Sequence, residues 1–361
     1  MTGTRASGVM KASPAARLRC RADKAWRLFS LVRQEWRSPV RLPLSIRWRC
    51  WRRGFLSLSH VMYNTAENGW DLYLGDAARY LRTPSINGRW GMLVHDKLLF
   101  SLLLESVQPG ITPEWLGVFA RGAFHPSPAG ARNEPFNDLA ATPLVLKPLN
   151  SGGGENVYVV ARAGDRWRVN QQELTEPEFA AFQRKLDAYL VTRCVEQADY
   201  ARAVFPGSAN TIRFLTMWDE DARAPFLAAA VHRFGTRHTA PTDNWSGGGL
   251  SARIDLDTGI LSRAAAHPDS PVLQWHDRHP DTGAEIAGIQ VPGWKELKTS
   301  MLELSSRLAM FPYLGWDVVV TNAGMKILEA NHYPGLTMIQ VHAPLLADPR
   351  VRRFYERHGV L

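Results

Sequence analysis

Residues 315–335 read GWDVVVTNAGMKILEANHYPG, two apolar runs broken by a short polar turn. In the first run Asp317 projects opposite Trp316 and Val318. In the second, Glu329 and Asn331 share a face, because strand side chains alternate with period two. The turn offers Asn322, Ala323 and Gly324, which predicts a three-residue hairpin loop with Gly324 in the left-handed third position. Such a loop pairs Thr321 with Met325 and sets Asp317 opposite Glu329, whereas a two-residue loop sets Asp317 opposite Leu328 or Ala330. Facing carboxylates in a strand pair have Cβ atoms only about 4.5–5.5 Å apart, an unfavourable contact unless a cation lies between them. A divalent ion supplies that charge. Three oxygen ligands, Asp317, Glu329 and Asn331, with no Cys or His at ligand spacing, point to Mg²⁺ or Mn²⁺ rather than zinc. The plain alternative is an edge hairpin whose acids face water.

Outward from this hairpin, the 361 residues are enough for two or three packed units, and no stretch approaches the run of about 20 apolar residues that a membrane span needs. Residues 1–60 hold fourteen Lys or Arg against two acids, Asp23 and Glu35, a net +12 on a chain whose total is +9. The rest of the chain is therefore slightly acidic, which excludes a uniformly basic nucleic-acid binder and points to a basic end on a near-neutral body. Cys20, Cys50 and Cys194 are widely spaced and odd in number, the pattern of reduced intracellular thiols. No apolar core of a secretion signal precedes a small-residue cleavage site, so a cytoplasmic protein is expected.

Residues 1–20 read as disordered. Trp26, Phe29, Leu31, Val32 and Trp36 then recur at near-helical spacing, with Trp48 and Trp51 in RWRCWRRG, which predicts one or two basic amphipathic helices. Their aromatic face either packs on the main body or touches an anionic membrane through residues 20–55. Val94–Ser106 reads as an amphipathic helix, LVLKP and YVVAR as strands around a glycine-rich loop, and residues 211–218, 226–234 and 315–331 as further strands. Thr175 and Glu178 form a capping box for a helix over 176–190, and another helix is expected over Trp294–Met310. Lys147 ends a strand just before Gly152, Gly153 and Gly154, offering positive charge and free backbone amides together, as a phosphate loop does and as a plain glycine turn also does.

In order, HDKLLFSLLLES, LVLKPLNSGGGENVYVV, VEQADY, NTIRFLT, DNWSGGG, GWDVVV and LEANHYPG resemble the ATP-grasp superfamily over Val94–Met338. The resemblance is closest to the sugar-transfer-associated branch, named for its neighbourhood to polysaccharide genes, where NTIR, DN before a glycine run, IDLDTG, HPDTG and GWD are typical blocks. It implies an α+β ATP-grasp fold, two α+β subdomains clasping ATP, with a basic N-terminal extension over 1–90, a smaller subdomain with a glycine lid over 91–195 and a larger one with the metal over 196–361. Residues 1–90 lack the glycine-rich strand and helix alternation of the domain that commonly precedes this fold. By the resemblance, Lys97 and Lys147 hold ATP phosphates and Gly152–Gly154 form the lid. Glu196 and the backbone near Val195 hold adenine and ribose, with Gln197 or Asp199 as the other candidates. Arg213 lies near the transferred phosphate and acts with Lys147 in catalysis, unless it pairs with a core acid. Asn244 and Gly247–Gly249 lie on the phosphate or acceptor side, unless Asn244 only begins a turn. Asp317, Glu329 and Asn331 hold Mg²⁺ or Mn²⁺.

The implied activity is an ADP-forming ligase that activates a small-molecule carboxylate as an acyl phosphate for an amine or other nucleophile, in polysaccharide, cell-envelope or specialised-metabolite synthesis. The alternatives are a phosphotransferase acting on a sugar or lipid hydroxyl, and a non-catalytic nucleotide-binding scaffold. His232, His267, His279 and His332 carry no assigned role.

Overall fold

The structure, a computed structural model, describes residues 14–128, 135–150, 154–268 and 272–361. Among these, the strands form two antiparallel seven-stranded sheets. The first contains β1 (Trp115–Ala120), β2 (Ala123–Pro126), β3 (Leu144–Pro148), β4 (Tyr158–Ala163), β5 (Arg166–Val169), β6 (Gln172–Leu174) and β7 (Tyr189–Arg193), in the order β2-β1-β7-β3-β4-β5-β6. LVLKP and YVVAR pair as expected, with Leu146 opposite Tyr158. The Thr175–Glu178 capping box is formed, and the helix it starts, Glu176–Gln183, lays Phe179 on Trp167 with ring centroids 3.7 Å apart. That helix stops well short of the expected residue 190. Ala188 takes a left-handed conformation (φ 54°), and Tyr189 then enters β7, which pairs with both β1 and β3. A central strand position outweighs the helical spacing of Leu186 and Tyr189.

The second sheet contains β8 (Ile212–Asp219), β9 (Ala224–Phe234), β10 (Leu250–Ile254), β11 (Leu261–Ala266), β12 (Trp275–His276), β13 (Tyr313–Thr321) and β14 (Gly324–Asn331), in the order β12-β11-β10-β9-β8-β13-β14. The helix Trp294–Arg307 covers one face, with Trp294 stacked on Phe214. The helix Lys97–Val107 shares this core: Phe100 meets Phe311 and Trp316. It starts three residues later than the spacing predicts. Asp96 is extended, and its carboxylate accepts the amides of Leu98 and Leu99 at 3.0 Å, a helix cap that makes Lys97 the first helical residue.

Expected disorder over residues 1–20 is corrected from Pro14 onward, where α1 (Pro14–Arg37) begins; residues 1–13 lie outside the described residues. A corner follows, then α2 (Leu44–Arg52) and a run of short helices, with no strand before β1 among the described residues. The aromatic face of α1 does not pack on the body: Trp26, Phe29 and Trp36 are all more than half exposed. The rest of the layer is attached by apolar packing, with Phe55, Tyr63 and Tyr73 in one cluster with Trp245 and Val341, and by polar contacts. Buried Asn87 donates to the carbonyls of Tyr313 (2.7 Å) and His332 (3.1 Å) and accepts the Tyr313 amide (3.2 Å), holding the start of β13 to the end of β14. Asn87→Ala leaves these backbone groups buried and unpaired, and is expected to cost about 2–3 kcal/mol, read from urea unfolding against wild type.

Candidate functional site

The hairpin does not have the expected loop. Thr321 pairs with Gly324 across a two-residue connection, Asn322 and Ala323, and not with Met325. Continued without interruption, that register would set Asp317 opposite Leu328. It is interrupted: Val318 pairs with Ile327 but Asp317 pairs with Glu329, so Leu328 is a one-residue bulge. The core explains why. Trp316, Val318 and Val320 from β13 and Ile327 and Ala330 from β14 all lie in the main core of the second sheet. Ile327 and Ala330 have opposite parity, so only an extra residue between them lets both face inward, and the same step turns Glu329 and Asn331 to the other face, with Asp317. The expected facing of the two carboxylates therefore holds, but through the bulge and not the loop. The Leu328 carbonyl accepts Lys147 Nζ from β3 at 3.0 Å, which joins the two sheets.

Guanidinium groups balance the Asp317 charge, the core-acid pairing that the sequence left open for Arg213. Directly across the strand pair, Arg213 grips it in bidentate fashion, Nε to Oδ1 at 2.5 Å and Nη2 to Oδ2 at 2.9 Å. Arg233 Nη2 lies 3.3 Å from Oδ2 and 3.0 Å from Asp243 Oδ1. Asp243 in turn accepts the amide (2.8 Å) and hydroxyl (2.6 Å) of Thr211. Burial alone would raise the Asp317 carboxyl, but the two guanidinium groups outweigh it and hold the group below the ordinary carboxylate range. Burial would likewise lower Arg233, and Asp243, Asp317 and Glu329 raise it instead.

Beside this network stand the two lysines. Lys97 Nζ is 3.6 Å from Glu329 Oε2, and both lysines are buried while Glu329 is about a quarter exposed (26%). Burial pushes the Lys147 ammonium down to about 8, with Glu329 opposing and Lys97 reinforcing the shift. Among the described residues, the buried side-chain polar atom without a hydrogen-bond partner is Asn331 Nδ2. No group of three His, Cys, Asp or Glu side chains among them is placed to hold a metal. The donor set is thus two carboxylates and an amide. Of the roughly four lone-pair sites on a carboxylate, two on Asp317 are taken by Arg213 N–H groups and a further side faces Arg233, so the more open donors are Glu329 and Asn331. An all-oxygen set of this kind fits Mg²⁺ that keeps most of its coordination for water and phosphate, and the neighbouring cations and unpartnered amide fit phosphate oxygens.

The remaining expected residues lie around this centre. Gly152 and Gly153 fall outside the described residues. Gly154 is left-handed (φ 72°), and a Cβ there would sit 3.1 Å from Thr242, so Gly154 lies against the turn that carries Asp243 and Asn244. Asn244 does begin a turn: its carbonyl accepts the amides of Gly247 (3.1 Å) and Gly249 (3.0 Å). Val195 is half-buried and Glu196 exposed on the connection between the sheets. Gln197 is ruled out as the nucleoside contact, since its side chain is spent on Phe205, Ser208 and Asn210. His232 and His279 are structural, the first buried against Tyr200 and pushed down to about 4, the second bonded to the Gly235 carbonyl.

Sequence reading missed Arg233, Asp243, Thr211 and the Leu328 bulge. A cation inside the otherwise apolar run LAAAVHRF was a signal for Arg233; nothing local signals the bulge.

The sequence pattern of the family described as sugar-transfer associated ATP-grasp matches residues 78–353. Solved structures similar to this chain include the D-alanine–D-alanine ligase of Bacillus anthracis, at 16% identity over 77% of each chain with a TM-score of 0.37. The N5-carboxyaminoimidazole ribonucleotide synthetase of Thermus thermophilus is similar at 13% identity over 67% of this chain and 46% of that one, TM-score 0.34, so this chain spans about half of that enzyme's length. A RimK-domain ATP-grasp protein of Sphaerobacter thermophilus is similar at 11% identity over 73% and 69%, TM-score 0.35. No curated protein matches.

Removing one member of a buried ion pair leaves the other charged and dry. Arg213→Met is expected to destabilise the fold by about 3–5 kcal/mol, and Arg213→Met with Asp317→Leu by clearly less, both read from chemical denaturation. Equal losses in the single and double variants would show that Asp317 does not depend on Arg213.

Proposed function

The chain belongs to the sugar-transfer-associated ATP-grasp family, with its α+β fold, and we propose that it is an ATP-dependent, ADP-forming carboxylate ligase. The observation that carries the proposal is the convergence of Lys97, Lys147, Glu329 and Asn331 from both sheets on one cleft, backed by the Asp317–Arg213–Arg233 cluster. In this reading a substrate carboxylate oxygen attacks the γ-phosphorus and its bond to ADP breaks. An amine or other nucleophile then attacks the acyl carbon, phosphate leaves with the C–O bonding electrons, and the nucleophile loses its proton to solvent. Magnesium, when bound, neutralises phosphate charge. Lys97 and Lys147 bind the phosphates, and Glu329 and Asn331, with Asp317 behind them, form the metal side. Arg213 acts by fixing Asp317, because both of its bonded nitrogens are committed to that carboxylate. Glu196 and the backbone at Val195 take the nucleoside, Gly152–Gly154 close over the phosphates, and Asn244 shapes the turn they meet. The two sheets act as the halves of a clasp, residues 91–195 and 196–361, although the Lys97 helix packs with the second. Polysaccharide, cell-envelope or specialised-metabolite synthesis in the cytoplasm is the setting proposed.

The test is release of ADP and phosphate that requires both a carboxylate and a nucleophile. Glu329→Gln is expected to lower turnover on the order of 100-fold, the loss of a few kcal/mol of charge stabilisation, with its unfolding midpoint retained. A stable phosphorylated product without free phosphate would replace the ligase reading by a phosphotransferase.

A phosphate bound on Lys147 raises an ammonium that stands at about 8 in the free protein. Nucleotide affinity is then full below about pH 8 and falls as pH rises, by up to about tenfold per unit, with proton uptake on binding. Calorimetry in buffers of different ionisation enthalpy measures that uptake, and Lys147→Met is expected to abolish it.

A further inference from the structure

We propose that the α1–α2 face is a docking surface for an anionic lipid bilayer, held rigidly beside the cleft. Trp26 (65% exposed), Phe29 (63%) and Trp36 (68%) lie along one side of α1, and Leu44 (74%) and Trp48 (61%) continue the apolar surface on α2. Positions 26, 29 and 36 share a helix face. Single exposed apolar residues are ordinary, but a row of them on two successive helices is not. Over residues 25–53 the exposed charged side chains are Arg33, Arg37, Arg41, Arg49, Arg52 and Arg53, all basic. The one acid in that span, Glu35, is buried, where it accepts the Ser57 amide (2.9 Å) and hydroxyl (2.5 Å) and Arg47 Nε (3.0 Å).

This surface fits an interfacial membrane contact. Tryptophan rings sit at the headgroup level, and arginines meet anionic headgroups around them. A second copy of the chain fits badly, since a face-to-face dimer would set arginine against arginine. Among the described residues no helix is long and apolar enough to cross a membrane, so the contact is one that lies on the surface.

The face is also fixed in place. The Glu35–Arg47–Ser57 bonds lock α1 to α2, and Arg47 stands over the Trp51 ring at 5.0 Å. Gln34 donates to the Tyr80 hydroxyl at 2.8 Å, and Arg27 stands over the Tyr333 ring at 5.0 Å. Tyr333 follows Asn331 by two residues. Exposed Trp26 and half-buried Arg27 are consecutive, so the docking face and the contact to the loop after β14 share one helical turn. A docked protein holds the loop that carries Tyr333 close to the lipid.

The experiment is co-sedimentation of the full chain, without nucleotide, with vesicles of phosphatidylcholine alone or mixed with phosphatidylglycerol. Binding is expected to the mixed vesicles and to fall with added sodium chloride. Each arginine near the surface contributes about a fivefold factor, so Arg33→Gln with Arg37→Gln should weaken binding roughly 25-fold. Trp26→Ser, Trp36→Ser and Trp48→Ser together should abolish it, with an unchanged unfolding transition showing that the chain still folds. Equal binding to neutral vesicles, or retained binding by the triple tryptophan variant, overturns the proposal. So does a wild-type dimer that the triple variant makes monomeric, which would give the face to a second copy. Because no ATP is present, failure here leaves the ligase reading intact, and loss of ATP turnover leaves docking intact.

Discussion

A buried carboxylate shared between two arginines organises the second sheet. Asp317 on β13 is held by Arg213 on β8 and Arg233 on β9, so one charge cluster spans three neighbouring strands. A buried ion cluster of this kind contributes little net stability, because desolvation offsets its attraction, but any slip that breaks it leaves bare charges in the interior. Register is thereby penalised at a single point. The cluster extends through Asp243 to the turn that meets Gly154.

The bulge at Leu328 works with this cluster. Apolar packing requires Ile327 and Ala330 to face inward, and the acids require Glu329 to stand on the side of Asp317. An uninterrupted strand cannot satisfy both. One extra residue satisfies both and leaves a carbonyl free to accept Lys147 from the other sheet. The lysine is consequently dry, and its ammonium is held near neutral pH by burial. Geometry and protonation at the cleft thus have one origin.

The N-terminal helices are attached by apolar packing of Phe55, Tyr63 and Tyr73 against Trp245 and Val341 and by polar contacts: Asn87 to β13 and β14, and Arg79 to the carbonyls of Tyr333 and Pro334. Its inner side thus buries Phe55, Tyr63 and Tyr73, while Trp26, Phe29 and Trp36 stay on the outer side. Such a layer joins the core on one side and presents an aromatic row on the other.

The sequence by itself determined the capping box and the strands at Leu144–Pro148, Tyr158–Ala163, Ile212–Asp219, Ala224–Phe234 and the final hairpin, because alternation and capping are local and are written within a few residues. The amphipathic N-terminal helices were equally legible. Tertiary structure decided what those local signals meet. The partner of Asp317 lies 104 residues away, in a strand whose neighbour is set by sheet order. The loop beside Gly324 allowed more than one register, and only core packing of Ile327 and Ala330 selected the bulge. Whether the tryptophan face was inside or outside depended on what lay opposite it, a fact no spacing records. Residue 189 followed a helical period and became a strand for the same reason, since two neighbouring strands offered it more than one more turn of helix could.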